Sequence, residues 1–355
     1  MPQYIVKLTN RANVKQCEAV LKKRKEPFNV LASINSIVLT APKPDEIINL
    51  MGDHSILRLD EDRTIRINFP NHDTHLPTPK PQPLWGMKRI GATWQRIPKG
   101  YPRPKTALLG TGISPHPHSG KRQLGVNLSG EKGMKDDHGL GTQMAGLISG
   151  YSNRNFKHKF HGVYPLLPLI NVKVFNKNGE STISRLIQGI EWCLRNGVKL
   201  MVLGFTLDHH HPSLYEAIKE AYRQGVIMVA PCGDDGGLGV KYPARYYEVL
   251  AVGSTNANDQ ISIFSQSGTD LDLVAPGEHI YSTHHRGGFQ QSSGTALACA
   301  HAAGALAISL SLKPDLTLEE LRHLLQQTCE PLSTSRLLQG NGLISLRELV
   351  AAHKK

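Results

Sequence analysis

Residues 178–205 read NGESTISRLIQGIEWCLRNGVKLMVLGF, and this stretch decides the fold of most of the chain. Its pattern predicts a helix over residues 184–196, followed by a short apolar strand over residues 200–205. The same alternation continues on both sides, with strands predicted at 106–113, 169–175, 228–230 and 249–252 and helices at 141–149 and 212–224. Strands that alternate with helices form a mostly parallel sheet with helices on both faces. The sequence therefore predicts an α/β fold.

The first 68 residues show a different pattern and are predicted to form a small α+β, ferredoxin-like domain. Strands are predicted at 4–8, 33–40 and 56–67, with helices at 14–24 and 45–51. Two helices packed on a small antiparallel sheet satisfy this pattern. Residues 69–84 carry five prolines among polar residues and are predicted to be an extended linker. The larger domain then spans residues 85–355.

The composition places the chain among ordinary globular proteins. Its 355 residues include 41 Lys and Arg against 29 Asp and Glu, which gives a formal charge of +12. Hydrophobic residues make up 39% of the chain and charged residues 20%, proportions that exclude a wholly disordered protein. No apolar run is predicted to approach the roughly 18–20 residues that span a bilayer, so no membrane span is expected.

The termini and cysteines predict a reducing compartment. The opening residues MPQYIVKLTN lack the charged and apolar regions of a signal peptide. Five widely spaced cysteines, an odd number, form neither a CxxC metal site nor a complete disulfide framework: Cys17, Cys193, Cys232, Cys299 and Cys329. Free buried thiols and a cytoplasmic or other intracellular location are therefore expected.

Several stretches of the larger domain resemble the subtilisin-like serine proteases. They are residues 178–205 quoted above, HGVYPLLPLINVKVF at 161–175, YPARYYEVLAVGSTNANDQISIFSQSGTDLDLVAPG at 242–277, and SSGTALACAHAAGALA at 292–307. These stretches follow the family's order along the chain. The first domain resembles the family's inhibitory propeptide, because it starts with YIVKL and closes with ILRLDEDRTIRI. The resemblance implies a subtilisin-like domain with a propeptide-like domain attached.

The resemblance also locates the family's catalytic positions. The family uses an acidic residue to orient a histidine, which takes a proton from a serine nucleophile. Gly110 in TALLGTGIS, Leu140 in GLGTQMAG and Ala296 in SSGTALA occupy these three places. Asp234 in CGDDG replaces the asparagine that stabilises the oxyanion. Because these side chains cannot perform the family's proton transfer or attack, the sequence predicts an inactive homologue and not an enzyme.

An inactive homologue would serve as a binding, sensing or regulatory scaffold with its propeptide uncleaved. Triad-less relatives in spore-germination systems suggest, by analogy, a role linked to sporulation. The family's substrate groove pairs with extended peptides through backbone bonds. Its flanking edge strands are expected at Gly179, Glu180, Ser181, Val202, Leu203 and Gly204, with residues 64–70 in or near the groove. The expected partners are the N-terminal domain in cis and a protein or peptide, such as an active protease relative.

An altered hydrolase with relocated catalytic groups stays open as an alternative. His138 precedes Leu140 by two residues and could serve as a base. The alternative nucleophiles are Ser292, Ser293, Cys232 and Cys299, of which a cysteine needs a lowered pKa. His301 follows Ala296 at the place of the family's motif histidine, where the resemblance implies a packing residue.

Metal and nucleic-acid binding receive less support. His116, His118 and the run 209–211 are expected to be solvated loop histidines, and no carboxylate lies at a convincing ligand spacing. The loop at 149–162 replaces a family calcium site and has no acidic residue, so no metal or other cofactor is predicted, although other calcium sites stay open. Basic segments at 21–25 and 88–105 motivate a third hypothesis, binding to nucleic acid, but no nucleic-acid motif accompanies them.

Overall fold

The N-terminal domain contains a four-stranded antiparallel sheet and two helices. The computed structural model describes residues 1–51, 56–67, 84–92, 100–119, 122–152 and 160–353. The elements of this domain are β1 Gln3–Leu8, α1 Arg11–Arg24, β2 Phe28–Leu31, β3 Ser36–Thr40, α2 Pro44–Met51 and β4 Ile56–Glu61. The strand order in the sheet is β2-β3-β1-β4. The order of strands and helices along the chain is that of the ferredoxin-like motif. The strand predicted at 33–40 begins later, as β3, because Ala32–Ile34 forms a 3₁₀ turn, and the sequence did not predict β2 before this turn.

A fifth strand leaves the N-terminal sheet and pairs with the larger domain. This strand, β5 Thr64–Arg66, follows β4 after two residues, so the predicted single strand at 56–67 is divided. It pairs antiparallel with a short strand of the larger domain, Glu180–Thr182. The division occurs because each strand satisfies its backbone hydrogen bonds in a different sheet. Of the predicted linker, residues 69–83 lie outside the described part of the chain.

Seven parallel strands form the centre of the larger domain; the sequence predicts the mostly parallel sheet but not its strands at Arg122–Asn127 and Leu273–Pro276. The seven strands are β6 Thr106–Gly110, β7 Arg122–Asn127, β8 Leu169–Lys173, β10 Leu200–Leu203, β11 Ile227–Pro231, β12 Leu250–Thr255 and β13 Leu273–Pro276. Their order is β13-β12-β11-β10-β6-β8-β7. Helix α3 Trp85–Arg89 precedes them, and the strand Glu180–Thr182 that pairs with β5 is β9. The sheet and its helices confirm the α/β fold.

The helices of the larger domain pack on this sheet and on one another. They are α4 Leu140–Ser149, α5 Ile183–Arg195, α6 Pro212–Arg223, α7 Thr295–Leu312, α8 Leu318–Thr328, α9 Arg336–Gln339 and α10 Leu346–Ala352, and a hairpin of β14 Ile280–Thr283 and β15 Phe289–Ser292 precedes α7. Helix α4 packs against α7, and α5 packs against α6. The starts of these four helices carry several residues of the candidate site.

Helix α7 corrects one prediction about apolar runs. It has 18 residues with a mean hydropathy of 1.6, so by length and composition it could cross a membrane. The statement that no apolar run approaches this length is therefore wrong. However, 94% of the helix is buried inside the protein, where a central helix is apolar on every side. The five cysteines are buried free thiols, as predicted.

Candidate functional site

The start of α4 packs directly against the end of β6. Gly110 is the last residue of β6 and Leu140 is the first residue of α4. A side chain at Gly141 would place its Cβ only 2.0 Å from the carbonyl oxygen of Gly112. The close approach explains why glycine is needed at this point of the helix. It also places residues 110 and 140 on neighbouring elements.

The buried carboxylate of Asp136 stabilises this helix start. Its Oδ1 accepts hydrogen bonds from the backbone N–H groups of His138 at 3.1 Å and Gly139 at 2.7 Å. Its Oδ2 accepts from the N–H and the hydroxyl of Thr142, both at 2.8 Å. A carboxylate at a helix N-terminus satisfies open N–H groups and interacts favourably with the helix dipole. Sequence reasoning missed this role, although an acidic residue shortly before a helix is a recognisable capping signal.

A second carboxylate occupies the start of α7, next to Ala296. Asp234 Oδ1 accepts a hydrogen bond of 2.6 Å from the N–H of Thr295. Burial raises the pKa of Asp234 to about 6, although the bonds from Thr295 act in the opposite direction. The carboxylate therefore fills the anion-binding position at the N-terminal end of the 18-residue helix α7. An ionised Asp234 can accept hydrogen bonds there but cannot donate one to an oxyanion.

The N-terminal domain reaches the predicted groove through β5. Thr64 pairs with Thr182 in the antiparallel register, and Arg66 pairs with Glu180. The ladder extends beyond the strand, because the N–H of Ile67 donates to the carbonyl oxygen of Gly179 at 2.8 Å. The structure thus places the described end of the N-terminal domain against the first group of predicted groove residues.

The second group of predicted groove residues lies elsewhere in the sheet. Val202 and Leu203 are at the end of β10, which pairs with β11 on one side and β6 on the other. Gly204 continues this pairing by donating its N–H to the carbonyl oxygen of Leu109 at 3.0 Å. The expectation of an edge strand at these positions is therefore wrong, because neighbouring strands already use their backbone groups. The assignment of both groups to a peptide groove stays a prediction.

Carboxylates of the N-terminal domain cap two helices of the larger domain. Asp62 accepts hydrogen bonds from the N–H of Ser184 at 2.7 Å and from its hydroxyl at 2.6 Å. These bonds lie at the start of α5. Asp60 accepts from the hydroxyl of Ser213 at the start of α6. Each carboxylate therefore lies near the positive end of a helix dipole.

Two carboxylates of the larger domain also make polar contacts with the N-terminal domain. Glu191 of α5 accepts hydrogen bonds from the N–H and the hydroxyl of Ser33, both at 2.7 Å. Glu216 of α6 forms ion pairs with Lys7 at 2.5 Å and with Arg58 at 3.0 Å. The N-terminal domain is thus held on α5 and α6 by hydrogen bonds and ion pairs as well as by the β5 ladder.

A cavity of about 320 Å³ lies beside β5 and the segment that follows β10. Its walls include Asp208, Asp234 and Asp235 on the larger domain. The ammonium group of Lys241 contacts the carboxylates of Asp208 and Asp235. Arg66 is among the residues that the N-terminal domain contributes to the wall.

Three of the five histidines that the sequence predicts to be solvated are instead buried, whereas His209 and His210 are exposed as predicted. His116 and His118 are each 7% exposed, and His211 is 6% exposed. His211 Nε2 donates to the carbonyl oxygen of Glu61 at 3.0 Å. At least one ring nitrogen of each buried histidine is hydrogen-bonded within the fold, which offsets part of the cost of burying the ring.

One of these histidines contacts a serine. His118 Nδ1 lies 2.6 Å from the hydroxyl of Ser152, which also accepts a hydrogen bond of 2.9 Å from the N–H of Phe160. Since the hydroxyl accepts from Phe160, its own proton is available for His118. The pair lies just beyond the C-terminal end of α4, whereas Leu140 is at the other end of this ten-residue helix. Sequence reasoning named His118 only as a metal ligand and did not identify Ser152.

Comparison with known proteins identifies the family. The sequence model of the subtilase family matches residues 118–342. The chain belongs to the subtilase family. It is 33% identical over 285 residues to an alkaline protease of Shouchella clausii, which covers 79% of this chain and 73% of that protein. It is 34% identical over 267 residues to subtilisin BL of Lederbergia lenta, which covers 74% of this chain and 96% of that protein.

The family assignment contradicts the prediction that this subtilase is not an enzyme. The similar subtilases are named as an alkaline protease and a subtilisin, and His118 and Ser152 are in contact, an arrangement consistent with a protease. That prediction rests only on the side chains at Gly110, Leu140 and Ala296. These side chains do not exclude chemistry by other groups of the fold, and neither the structure nor the relatives show an inactive chain.

The other serine and histidine candidates lie near the starts of α4 and α7. His138 is beside the β5 ladder, since a Cβ added at Gly179 would lie 3.0 Å from its Nε2. Ser292 accepts a hydrogen bond of 2.9 Å from Gln143, and Ser293 accepts one of 2.9 Å from the N–H of His279. These contacts give both serine hydroxyls partners within the fold.

The remaining candidates are buried inside the subtilase domain. Burial raises the pKa of Cys232 to about 12 and also raises the pKa of Cys299, which disfavours a nucleophilic thiolate at either position. His301 is 1% exposed, and its Nδ1 donates to the carbonyl oxygen of Leu297 at 2.9 Å. Burial lowers the pKa of His301 to about 4, as expected for a neutral packing residue.

The metal and nucleic-acid predictions stay without a structural test. Within the described residues, no group of three or more His, Cys, Asp or Glu side chains could hold a metal ion. Residues 153–159 of the predicted calcium-loop replacement and 93–99 of the second basic segment lie outside the described part. The first basic segment ends α1, where Lys22, Lys23 and Arg24 lie near the negative end of the helix dipole.

The substitution Asp234→Asn should change how stability depends on pH. Because the folded pKa of Asp234 is raised from 3.8 to about 6, the folded state binds this proton more tightly than the unfolded chain. Its stabilising effect is therefore complete below pH 3.8 and is lost as the pH rises through about 6. The variant does not lose stability in this way. The difference in free energy of unfolding between variant and parent should therefore be larger at neutral pH than in acid, by at most about 3 kcal/mol.

Urea unfolding of both proteins at several pH values measures this difference. Below pH 3.8 the parent side chain is uncharged, like asparagine, and these measurements serve as the internal control. A difference that stays constant across the range would contradict the raised pKa of Asp234.

Proposed function

We propose that this subtilase binds extended peptides along β9 and that its own N-terminal domain occupies this groove in cis. The antiparallel pairing of β5 with β9 carries the proposal. Binding of this kind uses backbone hydrogen bonds for affinity and side chains for selectivity. A peptide in trans would therefore bind where β5 now lies, after β5 has left.

The contacts between the domains support a reversible arrangement. Asp60, Asp62, Glu191 and Glu216 all take part in polar or ionic contacts across the interface. Interfaces within a chain that are polar resemble those of transient complexes. The N-terminal domain would thus regulate access to the groove, and a competing peptide would shift the domain from the docked to the released state.

The substitution Ile65→Ser in the full chain should open the groove to peptides in trans. Ile65 is the central residue of β5 and packs against the main core of the protein, so serine removes an apolar anchor from the cis strand. A fluorescent peptide with the sequence of residues 63–67 should then bind at least about tenfold more tightly to the variant than to the parent, as measured by fluorescence anisotropy.

Leu57→Ser is the matched control, because Leu57 belongs to the same domain but is 61% exposed. This control should leave peptide binding at the level of the parent. Equal peptide binding by all three proteins would overturn occupation of the groove in cis.

We propose peptide-bond hydrolysis as a second candidate function. The names of the relatives and the contact between His118 and Ser152 favour it. In such a reaction His118 would accept the hydroxyl proton while the Ser152 oxygen attacks the carbonyl carbon, and it would give this proton to the departing amine as the peptide C–N bond breaks. A water molecule would then hydrolyse the acyl-enzyme and restore the serine. Ser152 is 9% exposed and His118 is 7% exposed, so the surrounding residues must move before a substrate reaches them.

Labelling by a fluorophosphonate tests this second function. If Ser152 is the nucleophile, the parent should be labelled on Ser152, and both Ser152→Ala and His118→Ala should lose labelling together with cleavage of casein. Ser129→Ala changes another buried serine and should retain both activities. Cleavage that persists in Ser152→Ala would exclude this pair, and labelling of a different residue would assign the chemistry to that residue.

A further inference from the structure

We propose that the groove selects basic extended peptides in which arginine or lysine flanks an apolar residue. The inference rests on the proposed peptide-binding function and specifies which peptides the groove prefers. Two independent observations support it: the charge of the groove wall and the sequence of the strand that occupies the groove.

The groove wall is acidic although the whole chain is basic. Glu180 lies on β9, and Asp208, Asp234 and Asp235 line the adjacent cavity. Lys241 contributes one positive charge to the same cavity, so these four carboxylates exceed it by three charges when Asp234 is ionised. The chain as a whole carries +12. A local field of opposite sign to the net charge attracts basic peptides to this surface and disfavours acidic ones.

The strand in the groove has the complementary charge. Residues 63–67 read RTIRI, with two arginines and no acidic residue. Arg66 is directly opposite Glu180 in the antiparallel register. Opposite charges at such positions stabilise a sheet, whereas like charges destabilise it. An acidic residue in place of Arg66 would therefore oppose Glu180 at close range.

The two arginines are attracted by the surrounding charge more than by fixed ion pairs. Arg66 Nε donates to the carbonyl oxygen of Asn178 at 3.3 Å, and Arg63 Nε lies 3.4 Å from Glu61 of its own domain. Neither guanidinium therefore needs one particular carboxylate of the cavity. Lysine, which delivers the same charge without the planar geometry, should replace arginine at these positions with little loss.

The apolar positions follow from the alternation of a strand. Ile65 packs against the main core, and Ile67 is 8% exposed and belongs to that core. Residues two apart share one face of a strand, so Ile65 and Ile67 face the protein together. Thr64 and Arg66 occupy the other face. The preferred peptide thus has apolar residues at the positions of Ile65 and Ile67 and a basic residue between them.

Three labelled peptides test the preference on the full chain carrying Ile65→Ser. Their sequences are RTIRI, QTIQI and ETIEI. They differ only at the first and fourth positions, where the side chains are positive, neutral and negative, respectively. RTIRI should bind at least about tenfold more tightly than ETIEI, with QTIQI between them, because both arginines change from attraction to repulsion. The ratio should fall when the salt concentration rises from about 0.05 M to about 0.5 M.

Variants of the wall locate the source of the preference. Glu180→Gln and Asp208→Asn, each added to Ile65→Ser, should reduce the ratio of the RTIRI and ETIEI affinities. Asp270→Asn removes a carboxylate that pairs with Arg245 outside the cavity and should leave the ratio unchanged. Equal affinities for the three peptides would overturn the charge preference but leave the peptide groove intact. Failure of every peptide to bind would overturn both proposals.

Discussion

The carboxylate of Asp62 at the start of α5 connects the two domains, and the position of β5 depends on it. It bonds to both the N–H and the hydroxyl of Ser184, immediately after β9 ends. Because Asp62 lies only two residues before β5, this cap fixes where the strand begins and hence its register on β9. A helix cap contributes about 1 kcal/mol on its own, but here it also orders the chain that enters the groove.

Carboxylates at helix starts recur around the candidate site. Asp136 satisfies the start of α4, and Asp234 satisfies the start of α7. The subtilase fold thus keeps the close packing of β6, α4 and α7 around the positions of Gly110, Leu140 and Ala296. Peptide binding requires this framework and the edge of β9, whereas hydrolysis requires a base and a nucleophile in contact. The two proposed functions therefore depend on different residues.

The sequence predicted the α/β fold well because alternating strands and helices leave a clear apolar pattern. It missed the division of the strand at 56–67, since both halves are β-rich and only the contact with β9 separates them. It also misplaced the environment of His211 and His118. Their burial depends on contacts with Glu61 and Ser152, and both partners are distant in the sequence. Local polarity does not reveal such contacts.

Hydrogen exchange of the intact chain tests most directly whether the N-terminal domain occupies the groove. The informative amides are those of Ile67 and Ile183, which donate across the domain boundary to Gly179 and Arg63. Docking in cis predicts that both amides are protected and that the substitution Asp62→Asn weakens their protection together. Exchange of Ile67 and Ile183 as fast as in an unstructured peptide, in the intact folded chain, would contradict occupation of the groove by β5.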